Sequence, residues 1–534
     1  MEQKELKEGE KLMFRTASLC PDCLKTIPMV VFEKDGKALL RKSCKEHGTV
    51  EDVYWGDAAM LNRAKKWAHD GKGIENPNTK GVVCPRDCGL CPLHKSHTAL
   101  GNIVVTSRCN LNCWYCFFSY ENLVKLGYVY EPSLDQIRAM LKSMRAEKPV
   151  KCNAVQITGG EPCMRDDVVD IIKIAKEEGY NHVQLNINGI KLANDASFAG
   201  KIRKAGVNNI YLSFDGTTPK TNPKNHWEIP LALDNCRKAG VGVVLVPTVI
   251  NTVNDGDLGN IVRFGIRNMD IIRAVNYQPV SFVGRINDAE RKKLRITIPD
   301  AIHRIAEQTD NEVAPEDWYP VPTVTGITHF IEAMSGKPRY ELTSHHACGM
   351  ATYLFVDKGK IVPIPRFVDV DGLMEYLNSN ADEINAGKSK TIAAVKLVAN
   401  IGKFIDKSKQ PKELDLFKLL SGILVKGNYR ALGELQHKSL MLGMMHFQDL
   451  YNYDIERVKR CCIHYAVPDG RILPFCTFNV IPEWYRDKVQ KQFSVPIEQW
   501  QKAAGRKIEQ DIYRRDTKAL EANPLYKKTY EGFV

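Results

Sequence analysis

The chain has no run of about 18 or more consecutive apolar residues, so no membrane-spanning helix is expected. Its first residues, Met1-Glu2-Gln3-Lys4-Glu5-Leu6-Lys7, contain no apolar signal region, and no secretory leader is expected. No nucleic-acid-binding motif is present, so no nucleic-acid partner is expected. The formal net charge of +12 suits anionic surfaces in general, or solubility alone. These absences point to a cytoplasmic protein, free or peripheral at the inner membrane face. What the chain has in quantity is cysteine, sixteen in all. In a cytoplasmic chain such thiols argue for metal sites rather than disulfides. At 534 residues, 44% apolar and 26% charged, the composition is globular and the length exceeds a single core.

The cysteines fall into groups. Cys109, Cys113 and Cys116 form a C-x3-C-x2-C triplet after the apolar run Ile103-Val104-Val105. Three thiolates within eight residues can hold three irons of a four-iron cluster, and an iron without a protein ligand can bind something else. The other reading is a closed cluster or zinc knob whose fourth ligand lies elsewhere. Upstream, Cys20 and Cys23, then Cys44 and His47, give C-x2-C followed by C-x2-H. That is the spacing of a tetrahedral four-ligand site, for zinc or a rubredoxin-like mononuclear iron. His47 is the member a remote cysteine could replace. Cys84, Cys88 and Cys91, with His94 close behind, suggest an iron–sulfur cluster or a second zinc site. Its fourth ligand is His94, His97 or a distant cysteine. Near the C-terminus, Cys348, Cys461, Cys462 and Cys476 supply enough thiolates for a fully ligated cluster, with one of the adjacent pair spare.

Between the second and last groups the chain has a strand–helix rhythm. Apolar runs near 102–106, 153–158, 182–188, 208–214, 242–248 and 272–278 read as six βα units and a parallel sheet. Ser133-Leu134-Asp135-Gln136 is a capping box opening an amphipathic helix. A second helix, near 167–178, ends at Gly179. The proline-rich stretch 300–345 reads as a linker or wrapping segment, and 380–450 as helical. Within the latter, Ile392, Val395, Val398 and Ile401 form an apolar stripe that faces either the core or a membrane surface.

The Cys109–Cys116 triplet, with Tyr115 before its last cysteine, resembles the signature of the radical SAM superfamily. A second match is Thr158-Gly159-Gly160-Glu161-Pro162, which closes the apolar run Ala154-Val155-Gln156-Ile157. In that superfamily such a strand end contacts the amino group of S-adenosylmethionine (SAM). Glycines admit close backbone approach, and the Glu161 carboxylate would offset an ammonium. The resemblance implies an α/β fold, a partial (β/α)6 barrel, with its ligands at the C-terminal strand ends. It also implies SAM contacts from Asn188, Ser213 and Asp215, although Asn-Gly and Asp-Gly are turn pairs as well. The implied organisation is a cysteine-rich metal-binding region over 1–100, the barrel over 101–300, and a C-terminal α+β auxiliary-cluster domain with a helical insertion over 301–534.

The layout of all four groups, ending in His464-Tyr465-Ala466-Val467-Pro468-Asp469-Gly470-Arg471 and Cys476, resembles the archaeal tetraether lipid synthases. Members of the same wider group act as pterin methylases. The first resemblance implies three [4Fe-4S] clusters, SAM, and one mononuclear iron or zinc. It further implies an archaeal diether phospholipid substrate, a small electron donor such as ferredoxin, and C–C joining of isoprenoid chain ends. The alternative is a radical SAM methylase acting on a pterin.

Overall fold

The computed structural model describes residues 6–81, 83–283, 288–424 and 429–533. Four antiparallel strands open the chain: β1 (Lys11–Leu19), β2 (Thr26–Lys34), β3 (Lys37–Cys44) and β4 (Gly48–Trp55). The six expected barrel strands are all present. They are β5 (Leu100–Val104), β6 (Ala154–Thr158), β7 (His182–Ile187), β8 (Asn209–Ser213), β9 (Gly242–Val246) and β10 (Ile272–Pro279). Each pairs in parallel with the next. Ile103, Ile157, Leu185, Leu212 and Leu245 are wholly buried on this sheet, and helices cover its outer face. The helix Leu134–Arg145 begins at the expected capping box, with Ser133 and Gln136 bonded reciprocally. The helix Val168–Glu177 stops before Gly179, which has φ 87°.

The barrel is wider than six strands. β12 (Leu440–Met445) pairs in parallel with β10, and β13 (Ile463–Ala466) pairs in parallel with β5. The C-terminal region thus extends the barrel sheet at both edges. β11 (Gly349–Asp357) and β14 (Ile472–Pro474) then add antiparallel borders. The 440–445 run lies inside the stretch read as helical. Its sequence, Leu-Met-Leu-Gly-Met-Met, lacks the β-branched residues that mark strands, and its partner on β10 decides the outcome. The proline-rich stretch also differs from expectation. It forms helices Ile298–Gln308 and Thr325–Ser335, with Pro299 in a first turn where it displaces no hydrogen bond. The helix Lys390–Ile401 packs through Ala393, Leu397 and Ile401, leaving Ile392 and Val395 exposed at 68% and 67%.

The four-stranded unit docks on the segment 449–454. Thr16 and Tyr54 donate to the Asp454 carboxylate at 2.8 and 2.9 Å. Ser18 donates to the Tyr453 carbonyl and the Lys42 ammonium to the Leu450 carbonyl, each at 2.5 Å. Arg295 joins the two bodies, binding Asp449 through both carboxylate oxygens (2.6 and 3.1 Å) and Asp52 of β4 at 3.1 Å. Burial pushes the Asp449 carboxyl up. The Arg295 charge and hydrogen bonds, with the Phe282 N–H, overcome this and hold it at about 2.

Arg295→Met is therefore expected to cost about 3–5 kcal/mol by leaving a buried carboxylate unpaired. Because the depressed pKa stabilises the fold above the usual aspartate range and not below it, the deficit should be largest at neutral pH. It should shrink as pH falls below about 4. Thermal melts of both proteins from pH 7 down to pH 3.5 check this. A pH-independent deficit would contradict it.

Candidate active site and metal centres

The three thiols Cys109, Cys113 and Cys116 lie on the loop that leaves β5 at its C-terminal end. The loop is shaped to present sulfur. The Leu111 N–H donates to Cys109 Sγ and the Phe118 N–H to Cys116 Sγ, each at 3.4 Å. Such donors favour the thiolate form that iron requires. Residues before the triplet are clamped to the end of β6. Gly160 N–H donates to the Thr106 carbonyl and Glu161 N–H to the Arg108 carbonyl, both at 2.8 Å. A Cβ on Gly159 would stand 2.3 Å from the Thr106 oxygen, and one on Gly160 2.2 Å from the Arg108 oxygen. The glycines therefore admit the backbone of the cysteine loop itself, where the sequence suggested approach of a ligand.

Glu161 is buried at the wall of a pocket that Lys191, Asp511 and Tyr513 also line. Its carboxylate accepts from the Asn188 N–H at 2.7 Å and the Cys163 N–H at 3.0 Å. Burial raises its pKa to about 7 against those bonds and the nearby Lys191 charge. Asn188, at the end of β7, donates to Asn110 of the cysteine loop at 2.6 Å. Thr158 accepts from Asn186 at 3.2 Å, and the Ser213 carbonyl accepts from Asn225 at 2.7 Å. Asp215 accepts from the Tyr115 hydroxyl at 2.6 Å and pairs with Lys224 at 2.7 Å. Lys224 also donates to the Tyr115 oxygen at 2.9 Å. The structure thus brings Cys109, Cys113, Cys116, Tyr115, Thr158, Gly159, Gly160, Glu161, Asn188, Ser213 and Asp215 to one end of the barrel. Lys224 was not legible beforehand, since it sits in a loop among other lysines.

Two further contributors come from far along the chain. Arg108 donates to Asp511 at 3.0 Å and to Glu131 at 2.8 Å, and its guanidinium stacks on Trp500. The Tyr513 N–H donates to the Asn110 carbonyl at 3.0 Å. The C-terminal segment thereby grips the cysteine loop on both sides of Cys109.

The strand unit holds the first metal group. The ligand atoms of Cys20, Cys23, Cys44 and His47 lie within 4.8 Å of one another. Cys23 and Cys44 sulfurs are 3.9 Å apart, and His47 Nδ1 is 3.6 and 3.5 Å from the sulfurs of Cys20 and Cys44. A tetrahedron with bonds of about 2.3 Å has edges of roughly 3.8 Å, so the four donors fit one ion and His47 is a member.

Cys84, Cys88, Cys91 and His94 surround one small cavity beside Val458 and Lys459. His94 Nε2 lies 2.8 Å from the Cys461 carbonyl, which only accepts. The same nitrogen lies 3.0 Å from His464 Nε2. Cys348, Cys461, Cys462 and Cys476 line a second, much larger cavity of about 1060 Å³. Cys152, Cys163 and Cys236 pack in the apolar core.

The large cavity runs into the barrel lumen. Gln184 of β7, Asn209 and Tyr211 of β8, and Asn276 of β10 reach it, among apolar neighbours such as Val244, Met350, Met441 and Met444. Gln184 donates to Gln156, which donates to Asn102 at 2.9 Å. Asn276 and Gln278 both donate to the Tyr211 hydroxyl. Residues two apart on a strand share a face, so Asn186, Ser213 and Gln278 continue this polar lining towards the cysteine loop. Amides recurring at alternate positions of largely apolar strands are a signal the sequence carries, and one that cysteine spacing does not report.

Two changes probe these sites. Gly160→Ala forces the Arg108 carbonyl to move, at a cost of about 1–3 kcal/mol, and should sharply lower the iron retained by the Cys109–Cys116 loop after reconstitution. Iron content equal to wild type would contradict the clamp. Cys44→Ala should remove one metal equivalent and make residues 11–55 protease-sensitive, because a structural metal site contributes folding energy directly.

Comparison with known proteins agrees with the geometry. Residues 103–265 match the radical SAM superfamily, and residues 12–56 match the HMPTM N-terminal zinc ribbon domain. Zinc is thus the metal of the ribbon family to which the first group belongs. The chain is 45% identical over 499 residues to the 7,8-dihydro-6-hydroxymethylpterin dimethyltransferase of Methanocaldococcus jannaschii, covering 91% of this chain and 97% of that protein. A GTP 3',8-cyclase of Clostridium acetobutylicum is 29% identical over 54% of this chain and 87% of its own. Among solved structures, coproporphyrinogen III oxidase (HemN) from Escherichia coli aligns at 11% identity and TM-score 0.29, over 46% of this chain and 59% of that one. The likeness is too slight for any inference.

These findings overturn the tetraether-synthase resemblance. The diether phospholipid substrate, the coupling of isoprenoid chains and a lipid-synthase activity do not stand, because the relative aligned across nearly the whole chain is a pterin enzyme. The shared layout of cysteine groups reports redox equipment, not substrate. No helix among the described residues is long and apolar enough to cross a membrane. The chain belongs, within the radical SAM superfamily, to the family of the Methanocaldococcus jannaschii 7,8-dihydro-6-hydroxymethylpterin dimethyltransferase.

Proposed function

We propose that the protein is a radical SAM methyltransferase acting on a 7,8-dihydropterin. The observation that supports this substrate class is the lumen, where Gln184, Asn209, Tyr211 and Asn276 reach a cavity whose wall is largely apolar, with Arg203, Asp270 and Arg273 also on its lining. A fused heterocycle has apolar faces and an edge of alternating donors and acceptors. Amide side chains match that edge, and the apolar wall matches the faces. A long alkyl chain would offer nothing to the Asn209 side-chain oxygen, which has no partner within the protein, and leaving it so costs free energy.

The residues of the barrel end take distinct parts in this reading. Cys109, Cys113 and Cys116 hold the iron–sulfur cluster. With SAM bound, that cluster supplies the one-electron cleavage that opens unactivated C–H bonds to reaction. Glu161 and Asn188 fix the end of β7 against the cysteine loop and offer oxygens to the amino acid part of SAM. Asp215, Lys224 and Tyr115 form a closed charge-paired cluster, which orders the turn after β8 where the ribose would lie. Arg108, Asp511 and Trp500 keep the loop from swinging outward, so water is excluded from the thiolates. The zinc ribbon and the other two cysteine groups complete the metal complement. A one-electron donor such as a ferredoxin is required by the chemistry.

The test is an anaerobic incubation of the reconstituted full chain with reductant, SAM and 7,8-dihydro-6-hydroxymethylpterin, followed by mass spectrometry. The expected result is pterin-dependent 5′-deoxyadenosine from one SAM, S-adenosylhomocysteine from a second SAM that gives up its methyl, and a pterin heavier by one or two methyl groups. All three should be absent when Cys109, Cys113 and Cys116 are all changed to Ala. Formation of 5′-deoxyadenosine at a rate indifferent to the pterin, with no heavier product, would remove the substrate assignment while leaving the SAM chemistry. Persistence of 5′-deoxyadenosine in the triple variant would remove the cluster assignment.

A further inference from the structure

Arg457 is the most deeply buried arginine of the C-terminal region among the described residues, and its surroundings are unusual. It is 2% exposed. Among the described residues no carboxylate lies within ion-pair distance of it. Its Nη2 donates to the His446 carbonyl at 2.7 Å, and its Nε points at Cys348 Sγ at 3.4 Å. The groups whose charge acts on it most are Cys348, Tyr54 and Cys476, with the buried Asp454 carboxyl acting from beyond ion-pair distance. A guanidinium cannot shed its proton in a protein, so burial with no anion in contact is unfavourable. Neutral thiols at Cys348 and Cys476 would not supply that anion. Thiolates on iron would.

The placement of the arginine is itself fixed from outside. It lies on the short helix Ile455–Lys459, capped by Asp454 through the Glu456 N–H at 2.9 Å. Asp454 is in turn held by Thr16 and Tyr54 of the zinc ribbon. Cys461 and Cys462 follow the same helix directly. One rigid element therefore carries the arginine and two of the four cysteines that line the cavity.

We propose that Arg457 is the charge-balancing residue of an anionic iron–sulfur centre held by the group Cys348, Cys461, Cys462 and Cys476, and that it sets the reduction potential of that centre. The balance is electrostatic. Reduction adds one electron and one negative charge to the centre, and a fixed cation hydrogen-bonded to a ligand sulfur stabilises the added charge. It thereby raises the potential. Arg457 is a positioning residue here, since it acts through Cys348. The inference rests on the metal reading of these four cysteines and is independent of the pterin assignment.

The experiment is an EPR-monitored redox titration of the anaerobically reconstituted full chain. The centre in question is identified as the signal lost in Cys348→Ala. In Arg457→Gln its reduced-to-oxidised ratio at a fixed poise should fall at least tenfold, which is 59 mV for a one-electron couple. Arg457→Lys keeps the charge and should recover most of that fall. The signal that responds to added SAM should not move in either variant. An unchanged ratio in Arg457→Gln, an equal shift in both variants, or a full set of cluster signals in Cys348→Ala would each overturn the proposal.

Should Arg457→Gln not assemble, a second measurement decides. In the Cys348→Ala background the centre is gone and the arginine loses the charge it touches. Adding Arg457→Met should then raise the melting temperature above that of Cys348→Ala alone. A fall, or no change, would overturn the proposal. Failure of pterin turnover would leave either readout intact, so the two readings stand or fall separately.

Discussion

The two backbone hydrogen bonds between the ends of β5 and β6 are the constraint on which the active-site end depends. They join Thr106 and Arg108, just before the first cysteine, to Gly160 and Glu161. The approach is so close that no side chain larger than hydrogen fits at either glycine. Once that seam is closed, the direction of the cysteine loop is set by the sheet and not by the loop. Glu161 then has nowhere to go but inward, where N–H groups of Asn188 and Cys163 receive it. The seam thus carries order from the second strand to the third, and through Asn188 and Asn110 back to the loop. A metal–sulfur cluster on a loop demands preorganised thiolates. This arrangement obtains them from strand pairing, the most rigid element available.

A second dependence runs from the zinc ribbon. Its four ligands fix the ribbon turns, and its strands present Thr16, Ser18, Lys42 and Tyr54 to the 449–454 segment. That segment leads directly into the helix bearing Arg457 and on to Cys461 and Cys462. The ribbon's metal is far from the reaction in sequence, yet it sets the frame for the last cysteine group. Arg295, bridging Asp52 and Asp449, makes the joint a charged one. Buried charge pairs contribute little net stability but penalise misalignment heavily, which suits an element whose task is registration.

The sequence made the local patterns legible and left the long-range ones hidden. The six strands, the Ser133 capping box and the Gly179 stop are written in neighbouring residues, and each appears where its pattern places it. So does the ribbon tetrahedron, because metal spacing is a local code. The strand Leu440–Met445 was hidden because its residues favour helix and only pairing with β10 makes it a strand. Asp511 and Trp500 were hidden because nothing near them in sequence says that they meet Arg108, some 400 positions away. Lys224 was hidden for the same reason. In each case the deciding interaction is tertiary, and propensity is a weak prior against it.

Substrate recognition shows the same division in a sharper form. Cysteine spacing speaks about electrons and metals, and it speaks clearly, since a cluster needs its thiolates at fixed intervals. It says nothing about what the resulting chemistry is aimed at. Two enzymes that need a strong hydrogen abstractor and spare redox centres will share cysteine layouts whether the target is an alkyl chain or a heterocycle. The distinction lies in the lumen, in which side chains alternate inward along β6, β7, β8 and β10. There Gln156, Gln184, Asn186, Asn276 and Gln278 interrupt strands that are otherwise apolar. A buried amide that makes no contact with substrate has to be satisfied by its neighbours, as Gln156 is by Asn102 and Gln184. An amide that opens onto a cavity can do both, as Gln184 does in bonding Gln156 while it lines the space. The polar residues in this barrel's strands therefore divide into those that only hold the wall and those that also face the space. The second set, not the cysteines, is where this chain's selectivity has to be sought.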